Sequence, residues 1–186
     1  ATALEKEFVQ AADDLNDSLK DTTEAREARL KAAQVLAAYP DSRRNALKRI
    51  RSLMEDSPRS EQAVTAARLW IQIFADQLTA SEKQEKGGKE SRKNAEEIQS
   101  AIADVRKYPE VFAFDQSRGG KLQAAIAEQE SRLQVFGIAS REKDRDYVGA
   151  ARLYEKYADD IICTVRKQTY RTLCKQIINR RRERLR

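Results

Sequence analysis

Three prolines divide this 186-residue chain, and each one stands between stretches written for helix. Pro40 lies in Tyr39-Pro40-Asp41-Ser42, Pro58 in Asp56-Ser57-Pro58-Arg59-Ser60, and Pro109 follows Tyr108. Proline disfavours helix in the residue before it and is welcome in a first turn, so each site stops one helix and permits the next, with Ser or Asp available as a cap. Glycine is also scarce, at six residues, and the remainder is dominated by Ala, Leu, Glu, Lys, Arg and Gln, whose helix preferences add over long windows. The pattern predicts an all-α protein, an antiparallel helical bundle or short helical-hairpin solenoid of about six to eight helices with a long C-terminal helix. A chain of this length can bury roughly 70% of the surface exposed when unfolded, enough for a core.

Apolar residues recur at the 3-and-4 spacing of amphipathic helices. Leu4, Phe8, Ala11, Ala12, Leu15 and Leu19 mark the first helix, and Asp21-Thr22-Thr23 supplies caps for a second that runs to about Ala38. Ala46, Leu47, Ile50, Leu53 and Met54 mark the third. After Ser57-Pro58 comes the most apolar helix, where Ala63, Ala67, Trp70, Phe74 and Leu78 line one face and Val64, Leu69, Ile71 and Ile73 widen it. A helix apolar over so much of its circumference is expected to be surrounded, with Trp70 at the centre of the core. Ala95, Ile98, Ile102 and Val105 define the next helix, which stops at Tyr108-Pro109. Glu110 to Gly120 reads as a short connection whose Val111, Phe112 and Phe114 cover the core, followed by a helix bearing Leu122, Ile126, Leu133 and Phe136.

Gly87-Gly88, inside the charged stretch from Glu82 to Glu97, is a helix-end and hinge signal. It divides the chain into an N-terminal helical half, 1–86, and a C-terminal half, 87–186, unless the whole forms one continuous domain. From Tyr147 to Leu185 there is no proline and, after Gly149, no glycine. Either one long helix runs to the end or it breaks near Asp159-Asp160. Cys163 and Cys174 are eleven residues apart, roughly 16 Å along a continuous helix. That exceeds the roughly 7 Å Cα limit of a disulfide, so they read as small apolar residues.

Asp146-Tyr147-Val148-Gly149-Ala150-Ala151-Arg152-Leu153-Tyr154-Glu155-Lys156 resembles the second helix of a tetratricopeptide repeat, with Ala150 and Tyr154 where that motif has a small residue and an aromatic. Upstream, Leu133 and Phe136-Gly137 are similar to the first helix, one residue out of register. The two turns at Pro40 and Pro58 also resemble inter-repeat turns, and their eighteen-residue separation suits one helix of a 34-residue repeat. The resemblance covers about a third of the chain, with no complete motif, and implies a stack of helical hairpins that binds other proteins in a groove.

The chain contains no histidine. That removes the commonest acid/base group at neutral pH, the Cys-His and Ser-His nucleophile pairs, and most transition-metal sites. Acidic pairs such as Glu96-Glu97 and Asp159-Asp160 point about 100° apart on a helix and read as solvated faces. No catalytic residue, cofactor or metal is therefore expected. Ser117-Arg118-Gly119-Gly120-Lys121 precedes a helix, and Arg118, Gly119, Gly120 and Lys121 could hold an anion with backbone N–H groups, although the phosphate-loop spacing is missing.

The charge distribution carries the functional expectation. Arg166 to Arg186 contains nine Lys or Arg and one acid, Glu183, a charge of +8 in a chain of net +6. On a helical wheel Ile162, Cys163, Tyr170, Leu173, Cys174, Ile177, Ile178 and Leu185 form an apolar stripe that should pack, with Arg171, Lys175, Arg182 and Arg186 on its flank. The last turn, with Arg180, Arg181, Arg182, Arg184 and Arg186, is basic nearly all round. This pattern points to a non-enzymatic interaction adaptor or assembly subunit whose basic C-terminal helix docks on an anionic partner. A protein with an acidic surface is favoured, and an anionic membrane surface is possible. The alternative is a nucleic-acid-binding accessory protein using the same helix. No apolar stretch approaches the roughly 20 residues that a transmembrane helix needs. Ala1 fits either initiator Met removal or cleavage of an export signal, so the compartment stays open, as does the oligomeric state.

Overall fold

A computed structural model describes residues 2–19, 22–83 and 88–164, without the side chains of 83 and 158–164. Among the described residues there are eight α-helices, one 3-10 turn and no strand, as an all-α bundle requires. They are α1 (Ala3–Ser18), α2 (Thr23–Ala37), α3 (Arg43–Asp56), α4 (Glu61–Lys83), α5 (Gly88–Val105), α6 (Pro109–Ser117), α7 (Lys121–Lys143) and α8 (Tyr147–Thr164), with the 3-10 turn at Pro40–Ser42. Two compact units are formed, Ala1–Ile126 and Ala127–Arg186.

The helix boundaries follow local chemistry. Thr2 and Glu5 cap α1 reciprocally, and the Thr22 hydroxyl accepts the Ala25 N–H at the start of α2. Pro40 takes the first position of the 3-10 turn, but α3 then begins directly after Ser42 with no side-chain cap. The 3-10 turn already engages these backbone groups, as the Ser42 N–H to Tyr39 carbonyl bond of 3.0 Å illustrates. At α4 the cap is Ser60 rather than Ser57. Its hydroxyl accepts the Ala63 N–H at 3.1 Å and donates to the Ser57 carbonyl at 2.7 Å. The segment after Tyr108 is the helix α6 instead of a connection, with Pro109 in its first turn, Val111 fully buried and Phe112 and Phe114 half-buried.

In the first unit α4 is the central helix, packed against α2, α3, α5 and α6. Ala63, Ala66, Ala67, Trp70, Ile71, Ile73, Ala75 and Leu78 are all buried, so the wide apolar face is covered and Trp70, 3% exposed, belongs to the core. Ile50, Leu53 and Met54 of α3 and Ile98, Ile102 and Val105 of α5 complete it. The helices on the two sides of Gly87-Gly88, α4 and α5, pack along each other. A small polar layer joins them. Asn94 Nδ2 donates to Ser81 Oγ at 3.1 Å and to the Gln77 carbonyl at 3.3 Å, and Ser91 Oγ donates to Ser81 Oγ at 3.1 Å. These buried hydroxyls and the Asn94 amide are hydrogen-bonded, which offsets their desolvation and favours one register of α4 against α5.

In the second unit α7 and α8 meet through Ile138, Ala150 and Tyr154, with Leu153 and Tyr157 packed alongside. The turn between them places Arg145 at φ 63° and lets Asp146 cap α8, where it accepts the Gly149 N–H at 2.9 Å and the Arg141 guanidinium at 2.7 Å. Helix α8 continues through Asp159-Asp160 to Thr164, so the break envisaged there does not occur. An isolated aspartate pair does not outweigh the surrounding helix formers.

Candidate functional site

Helix α3 carries Arg44, Lys48 and Arg51 at positions i, i+4 and i+7, which places all three on one face. That face forms one wall of a cleft of about 490 Å³ whose other wall is α5, through Glu97, Ser100, Ala101 and Asp104. Leu47, Trp70 and Phe74 supply the apolar lining, and the Arg51 guanidinium lies 5.4 Å from the centre of the Trp70 ring, a cation–π contact.

The two walls differ in how their charges are met. On α5, Asp104 is paired with Lys107 at 2.6 Å and Glu97 with Lys93 at 3.7 Å. The Gln77 amide, turned with its nitrogen toward Glu97 and its oxygen toward Arg43, adds a second donor to Glu97 at 3.2 Å. On α3, Arg44, Lys48 and Arg51 form no ion pair among the described residues. The carboxylates of the α5 wall thus have cations close in sequence, Lys93 and Lys107, and the cations of the α3 wall have no acidic partner among the described residues. What is left over in the cleft is positive potential above an aromatic floor, an arrangement that attracts carboxylates and apolar side chains together.

A second surface arises because α1 docks on an unexpected side. Of the apolar residues Leu4, Phe8, Ala11, Ala12, Leu15 and Leu19, Ala12 is buried and Leu15 half-buried, while Leu4, Phe8, Ala11 and Leu19 are exposed. The line that faces the bundle is displaced from Leu4 and Phe8 by one residue, about 100° on the helix, and comprises Glu5, Val9, Ala12 and Asn16 with Asp13 and Leu15 beside them. Two polar clasps hold it there. The Tyr39 hydroxyl donates to Glu5 at 2.6 Å, and Arg49 grips Asp13 with both terminal nitrogens, one at 2.6 Å. Leu4 and Phe8 consequently stay 75% and 40% exposed. Each clasp holds its carboxyl below the usual range, Glu5 first through Tyr39 and then Thr2, and Asp13 first through its hydrogen bond to Arg49.

The glycine loop expected to bind an anion is supplied with one by the chain itself. Asp115, 2% exposed, accepts the Leu122 N–H at 3.0 Å and the Gln123 N–H at 3.2 Å with its carboxylate, while its carbonyl accepts the Arg118 and Gly120 N–H groups at 2.9 Å. Arg118 lies over Phe114, 5.5 Å from the ring centre, and Gly119 and Gly120 take φ 103° and 66°. Lys121 opens α7. The arrangement closes α6 onto α7, with Asp115 at the place an external anion would occupy.

Arg171, Lys175, Arg180, Arg181, Arg182, Arg184 and Arg186, the basic residues singled out in the tail, lie outside the described residues. Sequence reasoning missed the α3 row, although its i, i+4, i+7 cationic spacing was a usable signal. Among the described residues no three His, Cys, Asp or Glu side chains converge to hold a metal, and no helix is long and apolar enough to cross a membrane. No family model, curated protein or solved structure matches this chain.

Proposed function

We propose that the chain is a non-enzymatic helical interaction protein, an adaptor or assembly subunit, that engages an anionic partner protein. The observation that carries this reading is the α3–α5 cleft, where three cations with no ion pair among the described residues stand over an aromatic lining. The basic C-terminal segment supports it from the sequence, with a charge of +8 between Arg166 and Arg186. The partial likeness of Asp146 to Lys156 to a tetratricopeptide helix is in keeping with a hairpin stack that binds proteins, as is the absence of histidine with a non-catalytic role.

Deleting Arg180 to Arg186 is expected to leave the far-ultraviolet circular dichroism of the described helices in place and to weaken partner capture from the native source, most strongly at low salt. Capture that is equally strong without these residues at low salt removes the tail from the mechanism. Nucleic-acid binding is the second reading, favoured by the nine basic residues between Arg166 and Arg186. It requires an affinity for DNA or RNA that falls with log salt at a slope of about 0.7 to 0.9 per phosphate neutralised. No binding to either at 50 mM salt, a condition set by that salt dependence at roughly the level where such contacts are strong, sinks it.

A further inference from the structure

We infer that the cleft between α3 and α5 receives an acidic peptide segment of a partner protein, with carboxylates along one edge and a bulky apolar side chain set against Leu47 and Phe74. The inference rests on the interaction reading above and assigns it a site and an occupant.

The spacing and the charge asymmetry define that occupant. Arg44, Lys48 and Arg51 are separated by about 6 Å and 4.5 Å of helix rise. An extended peptide, at roughly 3.3 Å per residue, presents alternate side chains on one edge about 6.6 Å apart, near the first separation, and the long Arg51 side chain covers the difference at the second. Carboxylates at alternating positions therefore reach successive cations, while the intervening side chains turn to the apolar lining. Across the cleft, Glu97 and Asp104 are already paired with Lys93 and Lys107, and the Gln77 amide donates a hydrogen bond to Glu97. This wall has no cation left over for a second row of acids, so the occupant is acidic on one side only. A nucleic-acid strand presents phosphate throughout its length and brings it against that wall. A volume of about 490 Å³ admits a few side chains rather than a whole helix. Trp70 reports on occupancy. It is the only tryptophan in the chain and lies beneath Arg51, so a carboxylate that draws Arg51 away alters its emission.

The test uses the full chain and a short synthetic peptide of alternating glutamate and leucine, followed by Trp70 fluorescence and calorimetry. Alternating glutamine and leucine serves as the uncharged control, and a short single-stranded oligodeoxynucleotide as competitor. The glutamate peptide is expected to bind and shift Trp70 emission, and the control is not. Arg44→Glu together with Lys48→Glu, both exposed positions, should weaken binding by about tenfold or more at low salt. Circular dichroism checks that this variant is folded, and deletion of Arg180 to Arg186 should change the affinity by less than about twofold if the tail is not the site. Absence of binding, or binding that survives the charge reversal, overturns the inference. Binding lost only with the tail also overturns it while leaving the anionic-partner reading intact. Displacement of the peptide from the cleft by the oligonucleotide would transfer the site to nucleic acid.

Discussion

Asp115 is where a single side chain controls the most backbone. It is an almost fully buried carboxylate whose oxygens take the first free N–H groups of α7, and its own carbonyl closes the turn through Gly120. Asp115→Ala leaves the buried Leu122 N–H without an acceptor and is expected to destabilise the fold by about 1–3 kcal/mol. Asp115→Asn keeps one acceptor oxygen and should cost clearly less, and denaturant titration of the pair checks the order. Gly120 is the companion residue. At φ 66° with nothing within 4 Å of a would-be Cβ, its substitution meets no steric neighbour, so Gly120→Ala should cost only the backbone term of about 1–2 kcal/mol. The sequence showed a glycine turn before a helix and left the anion open. Nothing in a linear reading said that Asp115, five residues upstream of Gly120, would fold back to serve as that anion, because the signal depends on α6 being a helix.

At the level of elements, α1 is the helix held in place through polar clasps. Its docking line is half polar, and its clasps to Tyr39 and Arg49 depend on ionised Glu5 and Asp13, whose folded pKa values are lowered. A lowered carboxyl pKa contributes stability that is complete above the ordinary carboxylate range and is lost as the pH falls through the folded value. Acid should therefore loosen α1 below about pH 4. Hydrogen exchange corrected for intrinsic rate should show α1 amides opening there while α4 amides stay protected. Asp56, lowered by Arg29, also acts between α2 and α3, so the variant Glu5→Gln with Asp13→Asn is needed to isolate α1. That variant should show loosened α1 amides already at pH 7, and an unchanged acid response in it would assign the effect elsewhere. The helices themselves were readable because proline, caps and 3.6-residue periodicity are local. The facing side of α1 was not, since Glu5 and Asp13 are drawn in by partners 34 and 36 residues away. Helix α6 escaped for a different reason. At nine residues it is too short for periodicity to speak. The cleft needed three helices at once, so only its α3 row could have been seen in advance.

For the whole molecule, the question is whether the two compact units, Ala1–Ile126 and Ala127–Arg186, melt together. The first has a core spread over α2 to α6, with α4 at its centre. The described core of the second is a hairpin contact of Ile138, Ala150 and Tyr154 with Leu153 and Tyr157 beside it. Small cores retain less stability because a smaller fraction of their surface leaves water. The second unit should therefore lose structure at lower temperature. Trp70, the single tryptophan, lies in the first unit and its fluorescence is blind to the second. Far-ultraviolet circular dichroism sees the helices of both. On heating, the circular dichroism signal should begin to fall before the Trp70 emission shifts, and the late part of the two curves should coincide. Ala150, fully buried, offers the control. Ala150→Asp places a carboxylate in the hairpin contact and should advance the early dichroism phase while leaving the Trp70 transition within about 1–2 °C, a shift equivalent to roughly 0.5 kcal/mol or less for a unit of this size. Superimposable curves in the parent protein, or a Trp70 midpoint that moves with the Ala150 substitution, would mean that the two units unfold as one cooperative structure.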